Sequence, residues 1–467
     1  MDLAQLTTPQ LLLLLTVALP GAAFLGLAIA WLLGWTGSER VISRVTGLTY
    51  VATTLSAFTL FARMLGQSEP SVTVPLGPWF EVPTYSFPLT LFVDPLSMPL
   101  VLATSVLIGL VGTFAQRYLH REKGFLRFFL LLHLFGFGSV LVFSAGSYDL
   151  IICGWELVGI TSVMLIAFFQ DRRRPVENAI RVFAIYRSAD AGLLIGVFLL
   201  HHAAGSAMFS ELFQGPWPGQ ALTGLDGASA TAIGLLFLFA GAGKAAQVPF
   251  SGWLPRAMEG PTPSSAIFYG AISVHAGAYL LLRSEPILRA SSVAAWAVIA
   301  IGAVTAIVGG LSGRAAADVK TALAQASLAQ LGLIFVEIGL GLTWLALLHI
   351  SGHMVIRTLQ FLRAPSVLRD YHRIHAVAEG RIASDELYYE AMLPAGLRAW
   401  LYRLASDRGH LDTILDRFFI GPLLALARLL ADLERRRVSP FETPRPSARL
   451  APVLGDPNGR AEGGHHG

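Results

Sequence analysis

Apolar runs of about 17 to 25 residues, cut by short polar stretches, recur along most of the chain, and each is long enough to cross a bilayer as a helix. About eleven are read: Leu11–Leu33, Val45–Leu65, Leu89–Phe114, Phe125–Ser144, Leu150–Phe169, Asn178–Leu200, Thr231–Val248, Ser264–Leu282, Val293–Leu311, Val319–Leu340 and Leu342–Leu362. Basic residues fall in every second connection, at Arg40 and Arg44, at Arg117 to Arg127, at Arg172 to Arg181, at Arg256, and at Arg314 with Lys320. Only Arg283 and Arg289 break the alternation. By the positive-inside rule the N-terminus is expected outside and the C-terminus in the cytoplasm. The pattern predicts an all-α polytopic membrane protein.

The stretch Gly241 to Arg283 departs from a simple span. Its first helix carries Lys244 deep inside and then meets Pro249, which removes a hydrogen bond to the Ala245 carbonyl and clashes with it. A helix broken near Pro249 is therefore expected. Irregular backbone and a lysine at bilayer depth are tolerated only inside protein or beside a watery cavity, which makes Lys244 a candidate site. The competing reading is a lysine snorkelling toward Trp253 and the interface.

After Leu362 the pattern changes. The expected division is residues 1–88 as N-terminal helices with an external loop, 89–365 as the membrane core, 366–437 as a cytoplasmic or interfacial helical segment, and 438–467 as a disordered tail. The run Phe418–Ala431 is too short to span and contains Gly421, Pro422 and Arg428, which suits an interfacial or partner-docking helix.

Composition narrows the class. Of 467 residues 54% are hydrophobic and 14% charged, with a mean hydropathy of +0.60, which excludes a soluble globular chain. One cysteine, Cys153, makes no internal disulfide and cannot supply the four thiolates of an iron–sulfur cluster, so no redox centre or cofactor is expected. The net charge of +4 fits topology and anionic lipid, with no nucleic-acid partner. The first apolar run lacks a basic n-region, so no cleavable signal peptide is expected.

Charges within the runs carry the chemistry. Besides Lys244 these are Glu156, Arg187, Asp190, Glu337 and Arg357; at roughly 3 kcal/mol each they must be paired, hydrated or neutral. Arg187 and Asp190, three apart, share a helical face and can pair. Glu156, flanked by glycines in GWELVGI, is read as the counter-ion of Lys244. Such a pair is either static or a unit that loads and releases protons. His349, His353 and Arg357 recur every four residues and make a polar stripe. The His-x₃-His spacing also suits zinc, but no general-base Glu lies between, and no metal is expected.

These residues sit in motifs that resemble the antiporter-like membrane subunits of respiratory complex I and the Mrp cation/proton antiporters, above all the complex I L subunit. They are GWELVGITS around Glu156, RSAD ending at Asp190, GKAAQVPFSGWLPRAMEGPTPSSA around Lys244, ADVKTALAQASLAQLG around Lys320 and HISGHMVIRTLQFL from His349, in family order over roughly residues 90–365. The resemblance implies an antiporter-like fold in which the glutamate and broken-helix lysine handle protons, the Arg187/Asp190 pair tunes that lysine, and the histidine helix with His349, His353 and Arg357 continues a hydrated axis; Lys320, in its own motif, is a further candidate site residue. Three departures stand out. Arg357 replaces a lysine; the histidine usual after PTPxSA is replaced near Tyr269, with His275 later on that helix; and the second inverted repeat is truncated, without the long lateral helix.

The function implied is proton or Na⁺ translocation in a bacterial inner membrane. Its narrower form is the energising of inorganic-carbon uptake with a DabA-like zinc protein at the cytoplasmic face. The alternatives are an L-like subunit of an NADH-quinone oxidoreductase or membrane hydrogenase, and a non-conducting membrane anchor for a soluble partner.

Overall fold

The computed structural model describes residues 6–35, 37–67, 70–82, 85–267, 272–316, 318–377, 394–406 and 411–438. Tyr269, the stretch 378–393 and nearly all of the expected tail, residues 439–467, lie outside the described residues.

The spans form as helices α1 Thr8–Leu32, α2 Glu39–Met64, α3 Ser97–Tyr118, α4 Phe125–Phe143, α5 Tyr148–Ile166 and α6 Arg173–Ala204. They continue as α7 Gly227–Lys244, α8 Ser273–Arg283, α9 Ser292–Arg314, α10 Val319–Gly339 and α11 Thr343–Val377. Helices α12 Ala395–Ser406 and α13 Gly421–Val438 follow. Among the described residues ten helices are long and apolar enough to cross a membrane, and the chain is a multi-span membrane protein. The run Ser264–Leu282, read as an eleventh span, holds the short turn Thr262–Ser265 and then the eleven-residue α8.

Side chains start several of these helices. Ser147 Oγ accepts from Leu150 N at α5, Asp226 from Ser229 N at α7, Ser291 from Ala294 N at α9 and Asp318 from Thr321 N at α10, each satisfying an orphan donor of a first turn. Helices then meet backbone to backbone. A Cβ on Gly154 of α5 would stand 2.7 Å from the Gly138 carbonyl of α4, so only glycine permits that crossing. Helices α1, α2 and α9 are the least buried spans, and α3 to α7 enclose the core.

The fold is mostly helical, as expected, but the boundary of the third span differs: the region read as an external loop with the start of that span forms an antiparallel hairpin of β1 Val72–Val82 and β2 Tyr85–Val93. Val72, Thr73, Val74, Phe87, Phe92 and Val93 are β-branched or aromatic, which suits strands, so the span begins at Ser97 and not Leu89. The run Phe418–Ala431 lies within helical structure, where a helical turn Leu411–Leu415 and a π-turn Asp416–Ile420 lead into α13.

The two basic residues that broke the alternation are paired. Arg283, fully buried, donates to both oxygens of Asp94 at 2.7 and 2.8 Å. Arg289 forks onto Glu285, four residues away. Neither is a bare loop charge, and the topology rule counts loop charges.

Candidate functional site: a buried lysine, a four-charge cluster and a histidine line

Helix α7 ends at Lys244, ahead of Pro249. The chain then leaves helical geometry, with Ala246 at φ +54, and continues through short turns to Ser265. The freed backbone groups find partners, as groups at this depth must. Val248 N donates to Thr305 Oγ1 of α9 at 2.9 Å, Gln247 Nε2 to the Ala245 carbonyl at 3.0 Å, and Trp253 Nε1 to the Gly243 carbonyl at 2.9 Å. The break is thus fastened to α9 and to itself, with Lys244 as its last helical residue.

The Lys244 side chain is 1% exposed, which removes the snorkelling reading. Its Nζ donates to the Trp155 carbonyl at 3.0 Å and sits 4.8 Å from the Trp155 ring and 4.5 Å from the Tyr186 ring. Aromatic faces attract a cation without neutralising it. Gly159 leaves the room: a Cβ there would lie 3.0 Å from Nζ.

Glu156 is not the direct partner of Lys244, and that reading is corrected. Among the described residues no carboxylate forms an ion pair with Lys244; Glu156 instead pairs with Arg187 at 2.5 Å. Arg187 forks, its other nitrogen reaching Asp190 at 2.6 Å, as the i, i+3 spacing suggested. Asp190 also accepts from the Trp155 indole at 2.5 Å. Trp155 therefore binds Lys244 through its carbonyl and ring and Asp190 through its Nε1, a bridging role that no charge pattern signals. A guanidinium's planar fork fits two carboxylates at once, which the single ammonium does not. Two cations and two carboxylates make the cluster neutral, so adding or removing one proton leaves a net charge in a poorly solvated place. Its members must respond to one another.

The histidines form a second group. Helices α7 and α8 cross at Gly241 and Gly277, where a Cβ on Gly277 would be 2.5 Å from the Gly241 carbonyl. Two residues before that crossing His275 Nε2 lies 2.9 Å from His353 Nδ1. His349, one turn from His353 on α11 with ring centres 6.4 Å apart, contacts Glu337 at 2.8 Å and Gln330 at 2.9 Å on α10. The expected stripe exists, yet each member bonds to a different neighbour: His349 to α10, His353 to α8, and Arg357 to Gln360 of its own helix at 2.8 Å. Lys320 stands in the first turn of α10 and donates to the Gly260 carbonyl at 3.3 Å, joining neither group. The partners Gln330 and Trp155 went unseen in sequence, because a neutral side chain in an apolar run looks like packing.

Residues 145–382 match the family described as NADH:quinone oxidoreductase/Mrp antiporter, transmembrane region, and residues 79–129 match NADH-ubiquinone oxidoreductase (complex I) chain 5 N-terminus. The NADH-quinone oxidoreductase subunit L of Mycobacterium tuberculosis is 34% identical over 317 residues, 67% of this chain and 49% of that protein. The NADH-ubiquinone oxidoreductase chain 5 of Podospora anserina is 30% identical over 401 residues, 84% and 59% respectively. This chain spans about half the length of such relatives. In fold it is similar to a chain of the Mrp complex from Dietzia sp. DQ12-45-1b, with TM-score 0.65 and 23% identity over 86% of this chain and 43% of that one. It is also similar to a chain of the archaeal membrane-bound sulfane sulfur reductase, with TM-score 0.65 and 17% identity over 92% and 95%.

Proposed function

Because the chain belongs to the NADH:quinone oxidoreductase/Mrp antiporter family of membrane subunits, we propose that it moves protons, or Na⁺ in their place, across a bacterial cytoplasmic membrane as one subunit of a larger assembly. The observation that carries this reading is Lys244: an amine 1% exposed, at the end of a broken helix, without a bonded carboxylate and beside a neutral cluster that one proton unbalances. A purely structural lysine would be expected to hold a carboxylate directly, since an unpaired buried charge costs several kcal/mol.

In this mechanism Lys244 and Glu156 exchange the proton, and Arg187 shifts its weight between Glu156 and Asp190 as the charge changes. The line His275, His353, His349 and Glu337 carries the proton onward. Histidine suits a relay because its two nitrogens accept and donate at once near neutral pH. Arg357 holds a fixed charge beside the line, for a guanidinium does not release its proton in proteins. The N-terminus faces outside and the basic connections face the cytoplasm.

Helices α12 and α13 support a partner. Leu397, Trp400, Leu426, Leu429, Leu430 and Leu433 on them are exposed apolar side chains, a composition suited to a protein or membrane surface. We propose that the partner energised there is either a zinc protein of inorganic-carbon uptake or the redox subunits of an NADH-quinone oxidoreductase or hydrogenase. Affinity purification from the native membrane separates these hosts, stoichiometric zinc marking the first and flavin with iron–sulfur absorbance the second. The test of translocation is co-reconstitution in liposomes with a pH-sensitive dye and an imposed gradient. Gradient-dependent proton movement that disappears in Lys244→Met and Glu156→Gln supports the proposal. Movement unchanged in both variants would leave the chain an anchor.

A further inference from the structure

Between the β1–β2 hairpin and helices α1, α4 and α5 lies a cavity of about 570 Å³, open on one side. Ala18 of α1, Trp79 and Phe87 of the hairpin, and Cys153 and Leu157 of α5 are in its wall. Every lining side chain is a hydrocarbon except for Trp79, with its indole N–H, and Cys153, the chain's one cysteine. Nothing there offers a water the two to four polar partners it needs. The helices forming the wall are spans, so the open side faces lipid.

The dimensions select the occupant. Along α5 the wall runs from Leu150 to Leu157, and seven residues at 1.5 Å rise cover about 10 Å. That fits within one leaflet, about half of the roughly 30 Å hydrocarbon core. The hairpin sets Trp79 and Phe80 exposed at the mouth, residue types that favour the headgroup level. Residues 66–88 contain no Lys or Arg, and the exposed charge of the hairpin is Glu81. An anionic headgroup therefore meets no cation at the mouth, and the only donors a quinone ring could meet in the wall are the Trp79 indole N–H and the weak Cys153 thiol.

We propose that this cavity binds one acyl chain of a phospholipid from the leaflet on the hairpin's side, recognised by its chain and not by headgroup charge. The gain comes from close packing of methylenes against fixed apolar walls, because bilayer and cavity are equally dry. The site bears on the charge cluster: Cys153 is one turn from Glu156 on α5, and the Glu156 side chain is 34% exposed. A chain seated there seals the lipid-facing side of α5 next to that carboxylate. The inference rests on the membrane reading alone and stands or falls apart from proton translocation.

The experiment uses the full-length protein in phosphatidylcholine vesicles containing a trace of phosphatidylcholine with a diazirine midway along one acyl chain. After illumination, labelled peptides are identified by mass spectrometry. Adducts should concentrate on the α5 peptide holding Cys153 and on the hairpin. Ala18→Phe, at an exposed position facing the cavity, should abolish that labelling while Phe198, which is 68% exposed on α6, continues to label as a bilayer-facing control. Should Ala18→Phe also lose labelling at Phe198, Cys153→Phe fills the same space and is read the same way. A phosphatidylglycerol probe should label the cavity as well as phosphatidylcholine does. Labelling spread over all lipid-facing helices and indifferent to both filling variants overturns the site; strong preference for phosphatidylglycerol overturns recognition by the chain.

Discussion

Gly159 of α5 faces the Lys244 ammonium so closely that a methyl group on its Cα would lie 3.0 Å from Nζ and 3.6 Å from a terminal nitrogen of Arg187. The atoms in the way are the ends of flexible side chains, so Gly159→Ala displaces the charges and not the helices. Replacing a mid-helix glycine gains about 1 kcal/mol of helix propensity, and weakening the bond from Nζ to the Trp155 carbonyl costs about 1 kcal/mol. Thermal stability in detergent should change little while reconstituted proton movement falls. Unchanged movement would mean that the position of the ammonium is immaterial.

The Asp94–Arg283 pair separates structure from function. Both residues are buried, and Asp94 lies in the β2–α3 connection, outside the spans. Removing one partner leaves an unpaired buried charge, so Arg283→Met should cost about 3–5 kcal/mol, and Asp94→Leu in addition should recover most of it. Burial pushes the Asp94 carboxyl up, but Arg283 and the Ser97 bonds overcome this and hold it below its ordinary value. A depressed folded value means the contribution is complete above about pH 3.9, the unfolded value, and is lost as pH falls through the lower folded one. A melting series at acidic pH should show that extra loss in the wild type and not in the double variant.

Much of this molecule was legible in its sequence because the signals were coarse or close in sequence. Ten of the apolar runs correspond to candidate spans, and the Arg187–Asp190 pair follows from a spacing of three. Contacts between helices were harder to read. Nothing local says that Arg187 reaches Glu156 on α5 before Lys244 does, since two carboxylates and two cations admit several pairings and packing chooses one. The hairpin was hidden for a related reason: Leu89 to Val93 is apolar apart from Thr90 and runs close to a true span, and a short apolar run has no period of its own. His275 and Glu337 were visible as residues, but their partners His353 and His349 lie on other helices.

Orientation can be tested with two cysteines in a Cys153→Ser background. Lys123 is exposed in the α3–α4 connection. Trp217 would mark the opposite side, but it is buried against Trp344, so exposed Gln214 nearby is the better position. With basic connections inside, an impermeant thiol reagent on intact cells should label Gln214→Cys and spare Lys123→Cys until the membrane is opened. The reverse pattern would invert the proposed topology.

The histidine line gives the last prediction. Glu337→Gln keeps an acceptor for His349 but removes the carboxylate that its Nδ1 meets at 2.8 Å, and His353→Gln interrupts the contact with His275; each should suppress proton movement while assembly survives. Arg357 lies one turn beyond His353 on α11, is buried, and keeps its charge at every accessible pH. That fixed charge opposes a proton arriving on His353. Arg357→Met removes the opposition at all pH values, whereas Arg357→Lys retains a charge that can be given up as pH rises. Movement measured from acid to alkaline pH should therefore fall at a higher pH for the methionine variant than for the wild type, and over a broader range for the lysine variant, whose charge is lost as pH rises. Three superimposable profiles would show that Arg357 stands outside the route, and the relay would then have to pass His349 and Glu337 without its influence.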